Sequence, residues 1–307
     1  MSGSAHTPPR RWTTKQLVDW LTKALQQRSV DSPRLVAELL VAHALGCERM
    51  QLYLQPDRPA TLLERETLRQ LAKRALAHEP VQYLTGQVWF YSLRFKADRR
   101  ALIPRPSTET LVDAALRHAT LTPGAGRGLY VDLCTGSGVV AVALLKHLPH
   151  ARVVATDIDE QALALARENA QLHNVLDRLE LRQGDLYEAL EAPTQVRSAQ
   201  AILANPPYIP DAEWEEVAAT VKEHEPAQAL RGGPEGLDFV APIIEGAAQR
   251  LAPGGLLAVE IASASAATVE ALAQAQPQLA DVRIERDLEG LPRVLLARRV
   301  AAPAGRV

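Results

Sequence analysis

Two short segments of the chain combine small, acidic and amide residues in patterns suited to ligand binding and group transfer. The first runs Val-Asp-Leu-Cys-Thr-Gly-Ser-Gly over residues 131–138, where an apolar strand leads into small residues and then a helix. Small residues let a backbone approach a ligand closely at the carboxyl edge of a sheet. Asp157 ends the next predicted strand, where a carboxylate can accept the protons of both ribose hydroxyls. The pattern predicts a ligand that contains a ribose, and a tight strand-to-helix turn without a ligand is the alternative.

The spacing within this segment argues against two common nucleotide-binding motifs. No third glycine follows on the schedule of G-x-G-x-x-G, and no G-x-x-x-x-G-K-[ST] loop occurs. NAD and ATP are therefore weaker candidates. A strand ending in D-L-C-T-G-S-G and followed by T-D-I-D resembles motifs I and II of class I S-adenosylmethionine-dependent methyltransferases. Asp185 follows the third strand, at the place where that fold puts a group against the adenine.

The second segment is Asn205-Pro206-Pro207-Tyr208, directly after the apolar run 201–204. In a parallel sheet it lies at the same carboxyl edge as residues 131–138. An amide nitrogen is a poor nucleophile because its lone pair is delocalised. The Asn205 carboxamide oxygen and the Pro206 carbonyl can accept both of its protons and aim the nitrogen at a methyl donor. The two prolines stiffen the turn and Tyr208 can pack on a planar substrate, whereas an ordinary proline-rich turn is the alternative.

The elements around these segments change in character along the chain. Residues 1–11 are small, polar and proline-bearing and are predicted to form a flexible tail. Residues 12–80 show apolar spacings of three and four, which predict a small all-helical domain. Residues 81–105 are rich in aromatic and β-branched residues and predict a linking β-hairpin. Over residues 106–300 strands alternate with helices, which predicts an α/β domain with a parallel sheet covered on both faces.

Composition and charge limit the classes of function. Lys and Arg total 34 and Asp and Glu total 36, so the net charge is −2, which argues against binding nucleic acid through a broad basic face. Cys47 and Cys134 are too few for a disulfide framework, and the eight histidines lack metal-ligand spacing, so no metal is expected. No apolar run is long enough to span a membrane. We expect a cytoplasmic monomer, because no heptad pattern or long exposed apolar stripe appears.

Further motifs resemble one methyltransferase family over residues 12–298. E-P-V-Q-Y-L-T-G at 79–86 and L-I-P-R-P-S-T-E at 102–109 resemble the inter-domain segment of the bacterial release factor glutamine N5-methyltransferases, the HemK/PrmC family. H-E-P at 224–226 with A-L-R-G-G-P-E-G-L-D at 229–238 is similar to another block of that family, as is R-D-L-E-G-L-P-R-V at 286–294. The resemblance implies a class I, Rossmann-like methyltransferase domain preceded by the helical domain and the hairpin.

The resemblance also implies an activity and a set of site residues. The chain is expected to methylate the glutamine of the Gly-Gly-Gln loop of class I peptide release factors, with the helical domain helping to bind that protein. Residues matching the family's S-adenosylmethionine positions are Cys134, Thr135, Gly136, Ser137, Gly138, Asp157, Asp185, Leu186 and Asn205. The matching glutamine clamp is Asn205, Pro206, Pro207 and Tyr208, of which Asn205, Pro206 and Tyr208 are the expected catalytic residues.

Two departures from the family pattern keep alternatives open. Cys134 stands where many members have glycine and is more similar to a sister branch that methylates a glutamine of a large-subunit ribosomal protein. Leu186 replaces an aromatic residue of some members, which leaves adenine stacking at that position in question. A DNA adenine N6 methyltransferase shares the N-P-P-Y motif but conflicts with the near-neutral charge. A non-catalytic adaptor that docks on translation factors is a further alternative, although it need not preserve Asp157 and the clamp.

Overall fold

The chain forms two compact units, Met1–Gly86 and Gln87–Val307, in a computed structural model that describes residues 12–191 and 196–300. The predicted tail, residues 1–11, lies outside the described residues. The predicted bounds of the other segments, 12–80, 81–105 and 106–300, stay predictions.

The first unit is all-helical, as the apolar spacing predicts. Its helices are α1 (Thr14–Gln27), α2 (Pro33–Leu45), α3 (Arg49–Leu54), α4 (Leu62–Ala75) and α5 (Val81–Thr85). Thr13 caps α1 by accepting the Gln16 backbone N–H, and Thr61 caps α4 in the same way. One apolar face of each longer helix is buried in a common core that includes Leu21, Leu40 and Leu68. Tertiary burial of these faces stabilises helices that would be marginal alone.

The predicted hairpin over 81–105 is shorter than the sequence suggested. Val81–Thr85 is helix α5 of the first unit, and the antiparallel pair is β1 (Gln87–Phe90) with β2 (Leu93–Lys96). The backbone from Ala97 to Arg105 contains no helix or strand. A proline such as Pro80 is as common at the start of a helix as before a strand, and aromatic content alone does not distinguish a helix from a strand.

The second unit contains a seven-stranded mixed sheet in the order β5-β4-β3-β6-β7-β9-β8. Its strands are β3 (Leu129–Leu133), β4 (Arg152–Asp157), β5 (Leu179–Gln183), β6 (Ala199–Ala204), β7 (Leu251–Glu260), β8 (Leu279–Arg286) and β9 (Pro292–Arg299). Its helices are α6 (Glu109–Leu121), α7 (Val139–His147), α8 (Glu160–Leu172), α9 (Ala219–His224), α10 (Val240–Arg250) and α11 (Ala266–Gln274). The predicted class I methyltransferase fold, preceded in the chain by a helical unit, is confirmed.

The predicted parallel sheet is present, and it is extended at one edge by two strands in antiparallel pairing. Strands β3 to β7 pair in parallel, whereas β9 runs antiparallel to both β7 and β8. A short turn around Gly290 joins β8 to β9, and so short a connection permits only antiparallel pairing. Strand β8 is not evident from the sequence, because this edge strand is half-exposed and its apolar alternation is weak.

The parallel strands are covered on both faces. Tyr130, Val131, Asp132 and Leu133 alternate between the two faces of β3, and all four are buried. One core cluster joins alternate residues of β3 and β6 to apolar residues of α10 and α11. The carboxyl ends of β3, β4, β6 and β7 therefore meet at one edge, where their following loops lie side by side.

The described residues include no helix that has both the length and the apolar character needed to cross a membrane.

Gly138 at the start of α7 allows a close approach of Ala166 in α8. Its φ is +78°, and a Cβ there would lie 2.9 Å from the Ala166 Cβ and 3.1 Å from the Ala166 Cα. We expect Gly138→Ala to lower the free energy of unfolding by roughly 2–4 kcal/mol, because it adds overpacking to backbone strain. Chemical denaturation measures this loss.

The matched control for this substitution is Gly254→Ala in β7. Gly254 has φ +76° but nothing within 4 Å of a built Cβ, so this variant carries the backbone strain without the clash. It should cost about 1 kcal/mol. Equal losses in the two variants would show that the contact with Ala166 does not limit the approach of α8.

Candidate functional site

A cavity of about 220 Å³ opens at the carboxyl ends of the parallel strands in the second unit. The predicted site residues that line it are Cys134, Thr135, Gly136, Ser137, Asp157, Asp185, Leu186, Asn205 and Pro207. The fold thus brings together the two segments that the sequence analysis singled out. Three predicted residues, Gly138, Pro206 and Tyr208, do not line the cavity.

Asp157 at the end of β4 organises the loop after β3. Its Oδ2 accepts the Gly136 backbone N–H at 2.8 Å, and its Oδ1 accepts the Asp159 backbone N–H at 3.0 Å. Burial raises the pKa of this carboxyl, and the two N–H donors act in the opposite direction. An ionised carboxylate offers about four acceptor positions, so each oxygen keeps a lone pair for a further donor. The predicted bonds to two ribose hydroxyls are compatible with this geometry.

Asp132, near the end of β3, is a cavity residue that the sequence prediction left out. Its fully buried carboxylate accepts hydrogen bonds from the Thr135 hydroxyl at 2.6 Å and the Ala141 backbone N–H at 3.2 Å. Desolvation by burial raises its pKa to about 7, and the nearby charge of Asp157 adds to this rise. Asp132 joins the loop to the first turn of α7. A carboxylate inside an otherwise apolar strand is the signal that marks it.

Cys134 occupies a backbone conformation that favours glycine. Its φ is +55°, which lies in the left-handed region. Glycine adopts this conformation without the strain that a Cβ brings. Burial, followed by the negative charges of Asp157, Asp132 and Asp185, raises the pKa of the thiol well above its usual value. A thiol held in its protonated form is a poor nucleophile, in keeping with a role as a small side chain of the loop.

Asp185 and Leu186 follow β5 and border the far side of the cavity. The Gly184 backbone N–H donates to the Asp157 carbonyl at 3.0 Å, which ties this turn to the end of β4. Leu186 packs against the sheet core from its partly buried position. It presents aliphatic surface to the cavity where an aromatic ring would offer stacking.

Asn205 follows β6 and faces the cavity between Thr108 and Pro207. Its Nδ2 donates to the Thr108 hydroxyl oxygen at 3.2 Å. Within the described residues, no hydrogen bond reaches Asn205 Oδ1 or the Pro206 carbonyl oxygen. Both atoms of the predicted clamp are therefore available as acceptors.

Tyr208 is placed differently from the expectation that its ring packs on a planar substrate. Its ring packs against the sheet core, and its hydroxyl donates to Glu260 Oε1 at 3.4 Å. Burial and the nearby Glu260 carboxylate raise the pKa of this phenol. The sequence analysis did not identify Glu260, although a carboxylate that ends the buried run of β7 is a clear signal.

Glu225 joins its own loop, after α9, to the segment that precedes α6, and both segments border the cavity. Its buried carboxylate accepts the Ile103 backbone N–H at 3.1 Å and pairs with the Arg105 guanidinium at 2.6 Å. Arg105 does not pair with Glu109, its neighbour four residues along the chain, since Glu109 instead accepts the Tyr91 backbone N–H. A second link joins Gln228 to Asp159 at 2.9 Å, and both of these residues line the cavity.

These features fit the binding of S-adenosylmethionine, which the resemblance implies. Small residues follow β3, Asp157 retains acceptor capacity, and apolar side chains such as Ala101, Ile158 and Leu186 line the remaining wall. Among the described residues no group of three or more His, Cys, Asp or Glu is arranged to hold a metal ion. The expectation that the protein needs no metal stays a prediction.

Comparisons with known proteins agree with this geometry. Residues 16–86 match the family described as PrmC N-terminal domain, and residues 116–233 match the family described as Methyltransferase small domain. A release factor glutamine methyltransferase of Rhodopirellula baltica is 37% identical over 290 residues, covering 92% of this chain and 95% of the relative. One of Geobacter sulfurreducens is 41% identical over 261 residues, covering 85% and 88%.

A solved structure supports the fold. The catalytic domain of hMettl16, in complex with MAT2A 3′UTR hairpin 6, has a TM-score of 0.53 at 15% identity. The similarity covers 69% of this chain and 77% of that one.

Replacing Asp157 tests the predicted ribose contact. We expect Asp157→Ala to weaken S-adenosylmethionine binding at least about tenfold, because each hydrogen bond to a charged group contributes about 1.5–3 kcal/mol. Titration calorimetry measures the affinity. Asp185→Ala removes another carboxylate of the predicted donor site but leaves the Gly136 and Asp159 N–H groups paired with Asp157, so it should weaken donor binding less than Asp157→Ala does. Unchanged affinity in Asp157→Ala would mean that the ribose lies elsewhere.

Proposed function

Because this chain belongs to the release factor glutamine methyltransferase family, we propose that it methylates the side-chain amide nitrogen, N5, of the glutamine in the Gly-Gly-Gln loop of class I peptide release factors. The names of its relatives and the length over which they align with this chain support this activity. The observation that carries the proposal is a pair of adjacent acceptors, Asn205 Oδ1 at the cavity and the Pro206 carbonyl in the same turn, neither of which has a hydrogen-bond partner among the described residues.

S-adenosylmethionine, when bound, supplies an electrophilic methyl group. We propose that Asp157 accepts its ribose hydroxyls, that the loop from Cys134 to Gly138 lets the donor approach the backbone, and that Asp185 and Leu186 border its adenine. Asn205 would lie between the donor and the substrate. The links from Glu225 and Gln228 hold neighbouring segments around the cavity and help to exclude water.

The clamp acts on a nitrogen that is a weak nucleophile. Asn205 Oδ1 and the Pro206 carbonyl each accept one N–H of the substrate amide, which fixes the direction of its lone pair. As the nitrogen forms its bond to carbon, positive charge develops on it, and the two oxygen dipoles stabilise that charge. The bond between the methyl carbon and the donor sulfur breaks in the same step and leaves a neutral thioether, and the nitrogen then passes one of its two protons to water and keeps the other. Pro207 stiffens the turn, and Tyr208 anchors it to the core through Glu260.

The sister activity on a ribosomal protein rests on Cys134 alone. The φ of +55° explains why that position favours glycine, but it does not distinguish the two substrates. The relatives described above are named release factor glutamine methyltransferases, and this chain aligns with most of their length. The release factor is therefore the substrate that we propose.

We further propose that the protein acts as a cytoplasmic monomer without direct specificity for nucleic acid. The balanced charge supports the last point, because phosphate neutralisation requires an excess of basic side chains. The free thiols of Cys47 and Cys134 are compatible with a reducing compartment.

The first unit offers a surface for the protein substrate. Large apolar side chains are exposed on α3 and at the first turn of α4, namely Met50, Tyr53, Leu54, Leu62 and Leu63. Exposed apolar side chains of this size are typical of sites that contact another protein. We propose that the release factor docks on this unit while its glutamine enters the cavity of the second.

The activity is tested by incubation with labelled S-adenosylmethionine and purified release factor, ribosomal subunits or DNA. We expect label on the release factor. Asn205→Ala should lower single-turnover methylation by about 10²-fold or more, because it deletes an acceptor needed in the transition state. Donor affinity, measured by calorimetry, should stay within about threefold of the original.

Two results would contradict this proposal. Label on ribosomal subunits or DNA in preference to the release factor would assign a different substrate. An Asn205→Ala protein with near-normal turnover would exclude the clamp as the source of catalysis.

The docking role of the first unit is tested on α3 with the full chain. Met50 and Leu54 are one turn apart and exposed, so Met50→Ser with Leu54→Ser should leave folding intact. Losing the burial of two such side chains should raise the KM for the release factor roughly tenfold or more, with donor affinity unchanged. Leu121→Ser, at an exposed position of α6 in the other unit, is the control. An unchanged KM in the double variant would argue against docking on α3.

A further inference from the structure

Glu260 is a buried carboxylate that the mechanism above uses only to hold Tyr208. It ends β7, and the register that pairs Ala204 with Val259 brings it beside Asn205 at the end of β6. Its side chain is fully buried, and its Oε1 accepts the Ser107 hydroxyl at 3.0 Å as well as that of Tyr208. Its Oε2 is buried and has no hydrogen bond of standard geometry among the described residues.

Thr108 lies between this carboxylate and the clamp. Its buried hydroxyl oxygen accepts Asn205 Nδ2–H at 3.2 Å, and the hydroxyl also interacts with the Glu260 carboxylate. Burial raises the pKa of Glu260, whereas the hydroxyls of Thr108 and Ser107 and the positive charge of Arg293 lower it. Three hydroxyl groups thus surround one carboxylate that would otherwise be costly to bury.

The number of protons in this arrangement determines the direction of each hydrogen bond. An ionised carboxylate can only accept, and a threonine hydroxyl carries a single proton. When Thr108 donates that proton to Glu260, only its lone pairs remain for Asn205. Asn205 must then turn its NH₂ group toward Thr108, which directs its Oδ1 away from Thr108.

We propose that Glu260, acting through Thr108, is a positioning residue that fixes the orientation of the Asn205 carboxamide, so that Oδ1 rather than the NH₂ group is presented to the substrate. The two ends of a carboxamide have nearly the same shape, so packing alone does not select between them. A reversed amide would offer N–H donors to the N–H groups of the substrate. This inference rests on the proposed function for its catalytic consequence, but not for the orientation itself.

The test compares Thr108→Val, Thr108→Ser and Glu260→Gln in the full chain. Thr108→Val keeps the shape and removes the hydroxyl, so kcat for the release factor should fall at least about tenfold, with KM and donor affinity within about threefold. Thr108→Ser restores the hydroxyl and should recover most of the activity. We call the chain of hydrogen bonds from Asn205 through Thr108 to Glu260 the relay. In Glu260→Gln the new amide can donate to Thr108, which can then donate its own proton to Asn205 Oδ1 and so reverse the relay. This variant should lower kcat at least as much as Thr108→Val.

The matched control is Ser107→Ala. It removes a hydroxyl from the same carboxylate, but Ser107 has no hydrogen bond to Asn205 among the described residues, so the variant should change kcat by less than about threefold. The double variant of Glu260→Gln with Thr108→Val should be no slower than the more impaired single variant, because both act on one amide. Additive losses, or an equal loss in Ser107→Ala, would overturn the relay.

A second readout does not depend on methylation. The side-chain NH₂ signals of Asn205 in ¹⁵N-labelled protein are identified by their loss in Asn205→Ala. They should shift in Thr108→Val and Glu260→Gln and keep their positions in Thr108→Ser and Ser107→Ala. If the signals follow this pattern while the unaltered protein transfers no methyl group to a release factor, the relay stands and the proposed function fails. Signals that do not move in Thr108→Val or Glu260→Gln overturn the relay, whatever the activity.

Discussion

The parallel pairing of β3 with β4 and β6, and of β6 with β7, is the constraint on which the site depends. It brings the ends of four strands to one edge of the sheet. Loops far apart in sequence then contribute to one cavity. The burial of these strands on both faces makes the edge rigid, so the loops start from well-defined positions.

Buried carboxylates at this edge stabilise loops that have no regular structure of their own. Asp132 binds the loop after β3 to α7, Asp157 binds the same loop from β4, and Glu225 holds Ile103 and Arg105. A buried charge is costly unless hydrogen bonds satisfy it, and each of these groups has such partners. The energetic penalty of burial is thus offset by bonds that also define the shape of the cavity.

Glu260 extends this arrangement to the turn after β6, where we propose that the substrate amide binds. Its contacts with Ser107 and Tyr208 lie directly behind the turn that carries Asn205. An acceptor that stabilises developing charge is effective only when it is held in its orientation before the reaction starts. The Glu260 carboxylate, which is buried and is proposed to act on Asn205 through Thr108, meets that requirement.

Much of this protein was evident from its sequence alone. Helical spacing before residue 80, the strand-loop-helix pattern at 131–138 and the run 205–208 are local signals, and each predicted its element or motif. The antiparallel edge, the helix at Val81–Thr85 and the pairing of Arg105 with Glu225 were decided only by tertiary structure. So were the roles of Asp132 and Glu260. The partners of a buried charge come from distant parts of the chain, and local periodicity carries no information about which of them will meet.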